Sequence, residues 1–537
     1  MKAWWNHGGV LLAGVLLLAG WFAFAWSDTP IDPETGSYAI SDSESAWRLH
    51  RISLVLGTSR LAQVDTFDCF PEVRAVMDLP VYDELAGLAA RLFVGKRAGG
   101  PNVPIDEQAL QTFAAAIGPV LLLIFFAAVY SFLRSSLGSS RFAAFLALGY
   151  LAMMPVVIEA GRPGSLRIEL FLALLFALQM KAVFAIWSAK QDLDRLMFAM
   201  LAGGVGSVGM ATSALFVVPT IGIWTWFVFY GLSRSVDERA MLMRCALLFW
   251  ITSAVGGILP AIGGPWVPAT SGPIAGWTDL WGSCVLVGVV PLVVLQRGSR
   301  RISEHTLVWF AGGFAAIVVL AGAFMLYRMG PHHEKSALLM AALRGEFAFV
   351  FMTSVPLLLS VLMYRIEPDR RSLLLMGIAG VGMLGFCAAH LSSTEREEES
   401  LAAAQAVSAA RWLCSNTEIS GPWNSVHGGQ SYGVLSAGWI APLIANYARR
   451  PGTRAGFSCL GEELVFSGTP REAVEAARDG GFRYMLIGPG DESSARFPWL
   501  EELRSGERES LSGVRRVWQS ERPLDSKSFV ILALDAD

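Results

Sequence analysis

Charged residues are scarce in this sequence. The chain has 537 residues, and its 42 Lys and Arg together with its 45 Asp and Glu make up 16% of them, whereas ordinary globular chains carry roughly 25%. Residues 196–233 and 245–278 contain no charged residue at all. A single soluble domain cannot bury that much apolar surface, but a lipid bilayer can cover it. The composition therefore excludes a soluble enzyme and a disordered chain, and it indicates a polytopic membrane protein.

Surplus positive charge and clustered cysteines are missing as well. The formal net charge is −3, so the chain lacks the excess of Lys and Arg that binding to nucleic acid requires. The 6 cysteines form no Cys-x-x-Cys pair and show no spacing typical of a zinc site. Neither a nucleic-acid partner nor a zinc site of the usual spacing is expected.

The sequence does contain a series of long apolar runs. A transmembrane helix needs about 20 mostly apolar residues. The first run ends in Ala23-Phe24-Ala25, which resembles a signal-peptidase cleavage site, so this run is either a transmembrane helix or a signal peptide. The sequence predicts a polytopic α-helical membrane protein of about 11 transmembrane helices. They lie near residues 8–26, 112–133, 141–159, 168–187, 195–212, 214–232, 244–263, 278–296, 306–327, 346–364 and 372–391.

The connecting loops predict the orientation of the chain. Short loops on one side carry thirteen Lys and Arg residues and those on the other side carry five, and the richer side faces the cytoplasm. The N-terminus is then cytoplasmic. We expect a transmembrane domain over residues 1–391, with 27–111 as its first exterior loop, and a separate exterior domain over 392–537. The Arg-, Ala- and Gly-rich composition favours a bacterial inner (plasma) membrane with the exterior domain in the periplasm.

Residues 392–537 have the pattern of a small α/β domain. Thr469-Pro470-Arg471-Glu472 is typical of a helix start, with a capping box and a proline in the first turn. A strand is predicted over Phe482–Ile487, and Val514–Trp518 and Ser528–Leu534 are predicted to form a closing pair of strands. Helices that alternate with strands are typical of α/β folds.

Four exterior segments are candidates for chemistry, and each also has a structural explanation. Asp42 and Glu44 could be solvated residues that cap an interfacial helix. Glu169 could simply lie at the amino end of a helix, where a negative charge is electrostatically favourable, and have no catalytic role. The segments are Asp42 to Ile52 after the first span, Glu159 to Glu169 after the third, the loop with His332-His333-Glu334 after the ninth, and Tyr432 to Pro451.

The order of these segments resembles the catalytic subunit of oligosaccharyltransferase, a family in the GT-C class of membrane glycosyltransferases. In that family a transmembrane helix is followed by a long exterior loop, many further spans and an exterior α/β domain. The loop begins with Asp, two aromatics, His and paired Arg, and Glu44-Ser45-Ala46-Trp47-Arg48-Leu49-His50-Arg51-Ile52 falls on this pattern with Glu44 in the Asp place. Asp65-Thr66-Phe67-Asp68-Cys69-Phe70-Pro71 and Leu79-Pro80-Val81-Tyr82-Asp83 look like its later acidic-Pro and Pro-x-x-Asp positions.

Three later motifs match the family only in part. Gly164-Ser165-Leu166-Arg167-Ile168-Glu169 stands where the family has Asp-His-His-x-x-Glu, and only Glu169 matches. Glu334 fits the late exterior loop whose Glu completes the family's metal and acceptor site. Gly438-Trp439-Ile440 stands where the family has Trp-Trp-Asp. In the family, the Asp of this motif recognises the Ser or Thr of the Asn-x-Ser/Thr acceptor sequence. That Asp is absent here, so the resemblance does not identify the acceptor.

The resemblance implies a membrane glycosyltransferase. It would transfer a sugar or oligosaccharide from a polyprenyl-phosphate or polyprenyl-pyrophosphate donor to a protein, lipid or glycan acceptor on the exterior face. Glu44 (or Asp42) and Glu334 would be the catalytic carboxylates. Arg48 and Arg51 would bind the donor phosphates, since guanidinium groups suit phosphate.

The resemblance also implies a divalent cation. Glu44, Glu169 and Glu334 would bind Mg²⁺ or Mn²⁺, which prefer oxygen ligands, and Trp439 would contact the acceptor. Catalysis without metal, with a carboxylate as general base, is the alternative.

Two other functions stay open at the level of the sequence. One is a catalytically degenerate GT-C-fold protein that serves as a scaffold or as a binder of lipid-linked glycans, which the unmatched motifs favour. The other is a transporter or flippase of lipid-linked intermediates. Transporters carry ionisable residues at mid-membrane, and the predicted spans hold few of these apart from Lys181.

Overall fold

The structure is a computed structural model. It describes residues 19–58, 64–65, 74–75, 81–94, 107–135, 141–227, 235–262, 394–418, 431–452, 470–488, 502, 510–511, 514–520 and 529–534, with short gaps within 24–41, 214–226 and 438–439.

The described elements are mainly helices, several of them long and apolar, and the C-terminal part of the chain adds a sheet. The helices are α1 (Ser43–Thr58), α2 (Val81–Val94), α3 (Glu107–Ser135), α4 (Arg141–Ala152), α5 (Pro155–Ala160), α6 (Ile168–Ser188), α7 (Asp192–Thr212), α8 (Val236–Ile262), α9 (Thr394–Asn416), α10 (Ala441–Leu443) and α11 (Pro470–Asp479). The strands are β1 (Val64–Asp65), β2 (Arg74–Ala75), β3 (Gly433–Ser436), β4 (Phe482–Ile487), β5 (Ser510–Leu511), β6 (Val514–Gln519) and β7 (Val530–Leu534).

Of the described helices, α3, α6 and α7 are long and apolar enough to cross a membrane. They contain the predicted spans 112–133, 168–187 and 195–212, so these three are confirmed as helices. The predicted spans from residue 278 onward lie outside the described ranges. The total of about 11 transmembrane helices therefore stays a prediction.

The predicted span 141–159 is broken in the middle. It forms two helices, α4 and α5, and Met154 between them is extended, with φ −72° and ψ 123°. A residue that precedes proline is pushed out of the helical region by the proline ring, while proline itself fits the first turn of a helix. Pro155 therefore ends one helix and begins the next, so the predicted span 141–159 is not one continuous helix, and its crossing of the membrane stays a prediction.

Small residues let α7 approach its neighbours closely. A Cβ on Gly203 would lie 1.7 Å from Thr252 Oγ1 and 2.6 Å from the Phe249 carbonyl oxygen of α8. A Cβ on Gly206 would lie 2.5 Å from Gln179 Nε2 of α6. Gly203 and Gly206 thus serve helix packing, as small residues commonly do between membrane helices.

The first exterior loop of the sequence prediction folds into a pair of helices. α1 and α2 cross where a Cβ on Gly87 would lie 2.5 Å from Val55 Cγ1. Between these helices the chain forms the short antiparallel pair β1–β2.

The C-terminal segment contains a five-stranded sheet of order β3-β4-β7-β6-β5. β3 and β4 are parallel, and the other neighbours are antiparallel. The strand predicted over Phe482–Ile487, the helix start at Pro470 and the closing strand pair are confirmed as β4, α11 and β6–β7. After α10 the chain continues into a π-helical turn, Ile444–Ala448.

One apolar cluster joins the first loop to the C-terminal segment. It contains residues of α1, α2, the start of α3, α9, the π-helical turn and the sheet. Beside it, Arg411 Nη2 of α9 donates to Asp32 Oδ2 at 2.7 Å, and Gln111 Nε2 of α3 donates to the same oxygen at 3.1 Å. Asp32 and Arg411 are both buried. The division at residue 391 stays a prediction, because residues on both of its sides share this core.

The two adjacent glycines of α7 provide a matched test of its packing. We expect Gly203→Ala to lower the free energy of unfolding by about 1–3 kcal/mol, because the new methyl group must displace α8. Gly204 has no atom within 4 Å of an added Cβ. Gly204→Ala should therefore leave stability unchanged or raise it by up to about 1 kcal/mol through helix propensity. Thermal unfolding of the two detergent-solubilised variants measures the difference, and equal midpoints would contradict the observed packing.

Candidate active site

The amino end of α1 carries the first predicted carboxylates. Asp42 caps this helix: its Oδ1 accepts the Ser45 N–H at 2.8 Å, and its backbone carbonyl accepts the Ala46 N–H at 3.0 Å. Such a cap satisfies N–H groups that have no partner inside the helix. The structural explanation considered for Asp42 is thus correct. Glu44 stands in the first turn with its side chain 39% exposed.

The loop between α5 and α6 is docked on this end of α1. Ser45 Oγ accepts the Leu166 N–H at 2.8 Å. Gly164 has a φ of +81°, and a Cβ there would lie 3.0 Å from the Ala39 carbonyl oxygen. Only glycine adopts this conformation at this distance without strain. The docking brings the residues that begin α6 beside the first turn of α1.

Arg167 precedes α6 and lies among four carboxylates. Its Nη1 is 3.3 Å from Glu159 Oε2. Burial by itself lowers the pKa of this guanidinium, but the charges of Asp42, Glu159, Glu169 and Glu44 outweigh burial and raise the pKa above its ordinary value. Arg167 is therefore a permanent cation. Its sequence pattern had marked Arg167 only as a loop charge, and its place two residues before the matched Glu169 was the available signal.

Glu169 is the most buried of these four carboxylates, with 5% of the residue exposed. Its Oε2 has no hydrogen-bond donor within the described part of the chain. Glu44 lies close enough to repel it electrostatically, and Arg167 and Arg48 attract it. The structure thus brings the predicted residues Glu44 and Glu169 together, and we call Asp42, Glu44, Glu159 and Glu169 the carboxylate cluster.

A buried charge pair lies behind the cluster. Arg48 Nη2 is 3.0 Å from Glu44 Oε1 and its Nη1 is 3.3 Å from Asp83 Oδ1, so Arg48 bridges the two acids. Arg51 Nε lies 2.9 Å from Asp83 Oδ2, and both of these side chains are fully buried. The predicted contact of Arg48 and Arg51 with a donor phosphate stays a prediction, and Arg51 faces Asp83 in this conformation. The Pro-x-x-Asp match had singled out Asp83 in the sequence, but it did not predict that Asp83 pairs with two arginines.

Tyr82 lies directly beside this charge pair. The guanidinium carbon of Arg48 is 5.5 Å from the centre of the Tyr82 ring. Burial raises the pKa of the Tyr82 phenol above its ordinary value. Its buried hydroxyl has no hydrogen-bond partner among the described residues. The hydroxyl is therefore a protonated group able to bind a ligand next to the carboxylate cluster.

An open apolar groove begins at Tyr82. It has a volume of about 250 Å³ and lies between α2, α3 and α6. The Tyr82 and Phe171 rings meet at a centroid distance of 5.4 Å. Because Arg48 lies beside the Tyr82 ring and pairs with Glu44, the groove adjoins the carboxylate cluster. Its lining includes Tyr82, Leu85, Phe93, Phe113, Ala116 and Phe171.

The C-terminal segment also contacts the end of α1. Asn446 Nδ2 donates to the Ala46 carbonyl oxygen, and Tyr447 Oη accepts the Ile40 N–H at 2.8 Å. The π-helical turn therefore lies against the helix turn that carries Glu44. Trp439 and Glu334, the predicted acceptor contact and the last predicted carboxylate, lie outside the described residues.

The described residues can be tested against the divalent cation that the resemblance implies. Glu44 and Glu169 are neighbours, but no group of three or more Asp, Glu, His or Cys residues in the described ranges is disposed to hold a metal ion. A guanidinium, that of Arg167, lies among the carboxylates instead. The described set by itself does not fit a divalent cation, and the contribution predicted for Glu334 stays a prediction.

Comparison with solved structures identifies the architecture. The archaeal oligosaccharyltransferase AglB from Archaeoglobus fulgidus, in complex with an inhibitory peptide and a dolichol-phosphate, superimposes with a TM-score of 0.61 at 12% sequence identity, over 95% of this chain and 80% of that chain. The chain has the oligosaccharyltransferase fold. A second structure of that enzyme, in complex with Zn and sulfate, gives a TM-score of 0.58 at 14% identity, over 95% and 79% of the two chains.

A third structure of the same enzyme is tethered to an acceptor peptide that contains the NVT sequon. It gives a TM-score of 0.57 at 13% identity, over 92% of this chain and 70% of that chain. No protein-family profile and no curated protein sequence matches the chain. The oligosaccharyltransferase resemblance and the helical membrane fold are therefore shown by structure, and at these identities the likeness extends to the fold alone.

Asp83 is the shared counter-ion of two buried or nearly buried arginines, and its removal tests the charge pair. We expect Asp83→Asn to lower the free energy of unfolding by about 3–5 kcal/mol, because two guanidinium groups would remain buried beside each other. Glu475→Gln removes one partner of the exposed pair Arg471–Glu475, and it should cost less than about 1 kcal/mol. Denaturant titration of both variants makes the comparison. If Asp83→Asn lowered the free energy of unfolding no more than Glu475→Gln does, the buried charge pair would be contradicted.

Proposed function

We propose that this protein is a membrane glycosyltransferase that transfers a sugar or oligosaccharide from a polyprenyl-phosphate or polyprenyl-pyrophosphate donor. The observation that carries the proposal is the carboxylate cluster beside an open apolar groove, within the oligosaccharyltransferase fold. Of the similar solved structures, one holds an inhibitory peptide and a dolichol-phosphate, and another is tethered to an acceptor peptide. Such ligands combine an apolar chain, a phosphate and a nucleophile, and each has a matching feature here.

The apolar groove suits the polyprenyl chain. Its walls are aliphatic and aromatic side chains, and pockets of this kind bind apolar ligands with a few polar groups at one end. α2, which forms one wall, also exposes Leu85, Leu88, Leu92 and Phe93. An amphipathic helix with such an exposed apolar side lies in the membrane interface. A donor lipid can then enter the groove from the bilayer without crossing water.

The donor phosphate would lie at the polar end of the groove. The Tyr82 hydroxyl is protonated and lacks a partner among the described residues, so it can donate a hydrogen bond to a phosphate oxygen. Arg48 is adjacent, and charge-assisted hydrogen bonds from arginine to phosphate are among the strong ones. Both arginines are paired with acids in this structure, so Arg48 would have to exchange part of its contacts with Glu44 and Asp83 for the phosphate, and Arg51 its pair with Asp83.

The acceptor would be activated by a carboxylate. In the transfer, the acceptor heteroatom attacks the anomeric carbon, and the bond from that carbon to the phosphate oxygen breaks. The electron pair of that bond leaves with the phosphate, and the acceptor proton passes to the carboxylate. Glu44 suits this role better than Asp42, because Glu44 is partly exposed and, within the described part of the chain, Arg48 engages its Oε1 alone. Asp42 Oδ1 is committed to the helix cap.

The acceptor would reach Glu44 from the side of the C-terminal segment. The π-helical turn contacts α1 at Ala46, and Trp439 shortly precedes that turn in the sequence. We propose Trp439 as an acceptor contact and Glu334 as a second carboxylate. The reaction would take place on the exterior face of a bacterial inner membrane, which is the periplasm, with a protein, lipid or glycan as acceptor.

Replacement of the proposed base tests the activity. Glu44→Gln should lower the rate of sugar transfer from a polyprenyl-linked donor by about 10²–10⁴-fold, because the acceptor proton loses its base. The assay supplies a panel of polyprenyl-monophosphate- and polyprenyl-pyrophosphate-linked sugars as donors and membrane extracts as acceptors, and it measures the sugar transferred. Asp192→Asn is the control, since this exposed residue lies at the start of α7 and should leave the rate unchanged. Binding of the donor without turnover by the wild type would instead support a scaffold or glycan binder.

Filling the groove tests the lipid site separately from chemistry. Ala116→Trp places a large ring in the groove, and we expect it to weaken the binding of undecaprenyl phosphate at least about tenfold, because the lipid chain loses buried apolar area. Leu123→Trp, on the same helix but outside the groove lining and 70% exposed, should bind as the wild type does. Equal affinities of the two variants would show that the lipid binds elsewhere.

A further inference from the structure

The carboxylate cluster already contains a positive charge of its own. Arg167 Nη1 forms an ion pair with Glu159 Oε2 at 3.3 Å. Asp42, Glu44 and Glu169 act on the same guanidinium through space. Four acids from the ends of α1, α5 and α6 therefore act on this one guanidinium, and one of them, Glu44, also pairs with Arg48 at 3.0 Å.

The backbone fixes Arg167 in this position. The preceding residue, Leu166, donates its N–H to Ser45 Oγ at 2.8 Å. Gly164 turns the chain at φ +81° against Ala39. Arg167 itself is extended, with φ −66° and ψ 133°, and α6 begins directly after it. The guanidinium is thus delivered to the cluster by a docked loop and not by a free surface side chain.

The acids themselves are arranged around this guanidinium. In the described ranges they form no group of three that could ligate one metal ion. A buried oxygen, Glu169 Oε2, nevertheless has no hydrogen-bond donor among the described residues. Burial and the charge of Glu44 disfavour a negative charge on this carboxylate, and Arg167 and then Arg48 act in the opposite direction.

We propose that the Arg167 guanidinium is the resident cation of the carboxylate cluster and stands in for the divalent cation that the family resemblance implies. A guanidinium remains protonated at all relevant pH values and cannot be removed by a chelator. Its part in the reaction, which rests on the proposed function, is to stabilise the negative charge on the leaving phosphate. Its effect on the binding of metal ions does not depend on that function.

Binding of Mn²⁺ to the full-length protein tests the proposal without any substrate. Electron paramagnetic resonance of detergent-solubilised protein measures the bound fraction directly. Arg167→Gln removes the charge, and we expect it to raise the affinity for Mn²⁺ at least about tenfold over the wild type, because a cation at this distance repels a second one. Arg167→Lys keeps the charge and should bind Mn²⁺ as weakly as the wild type.

A neighbouring arginine provides the matched control. Arg162 lies in the same loop, but its Nε donates to Thr29 Oγ1 at 2.9 Å. Arg162→Gln changes the net charge of the protein by the same amount and should leave the affinity for Mn²⁺ at the wild-type value. An increase as large as that of Arg167→Gln would overturn the proposal, because the effect would then be one of overall charge.

The wild type alone also decides the question if Arg167→Gln does not fold. Tight Mn²⁺ binding by the wild type, or a thermal unfolding midpoint that falls on addition of a chelator, would overturn the proposal, and an unchanged midpoint supports it. Failure of Arg167→Gln, once folded, to bind Mn²⁺ better than the wild type would overturn it too. None of these results depends on whether the protein transfers sugar, so a failure here is distinct from a failure of the proposed function.

Discussion

The hydrogen bond from the Leu166 N–H to the Ser45 hydroxyl is the contact on which the candidate site depends. Together with the packing of Gly164 on Ala39, it holds the start of α6 against the first turn of α1 and so fixes the acids of the two helices relative to each other. The same turn is held from the other side by Asn446. The amino end of α1 is capped by Asp42 and contacted by two distant segments, the α5–α6 loop and the π-helical turn. This end of the helix positions the charged side chains. Backbone contacts of this kind keep functional groups in position.

Charge is concentrated around this end of α1 in a way that a membrane protein rarely tolerates. Buried ions are costly unless they are paired and hydrogen-bonded. Here acids and arginines alternate in space: Glu44, Arg48, Asp83 and Arg51 form one chain of ion pairs, and Arg167 lies among the remaining acids. The arrangement concentrates polar groups next to an apolar groove, which is the environment that a lipid-linked phosphate requires.

Local patterns in the sequence predicted local structure well. The helix start at Pro470 and the strand over Phe482–Ile487 follow from neighbouring residues, and the structure agrees. The break at Met154 also had a local signal in Pro155, which the long apolar run outweighed in the prediction.

The site was predicted only in part, because its geometry comes from contacts between distant residues. The resemblance marked Glu44 and Glu169, which the structure brings together. It could not show that Asp83 pairs with Arg51 or that Arg167 faces the acids, since such partners lie in other loops. Glu334 and Trp439 remain predictions for the same reason: no local pattern fixes where a side chain meets residues hundreds of positions away.

The contacts of the π-helical turn also have a consequence for biogenesis. The Asn446 side chain meets the Ala46 carbonyl across 400 positions of sequence. At about 5–20 residues per second of synthesis, roughly 20–80 s separate the appearance of the two partners at the ribosome. During that interval α1 lacks the contact with its C-terminal partner. The candidate site is therefore completed only near the end of translation, and an early-terminated product would carry the acids of α1 without the π-helical turn that packs against them.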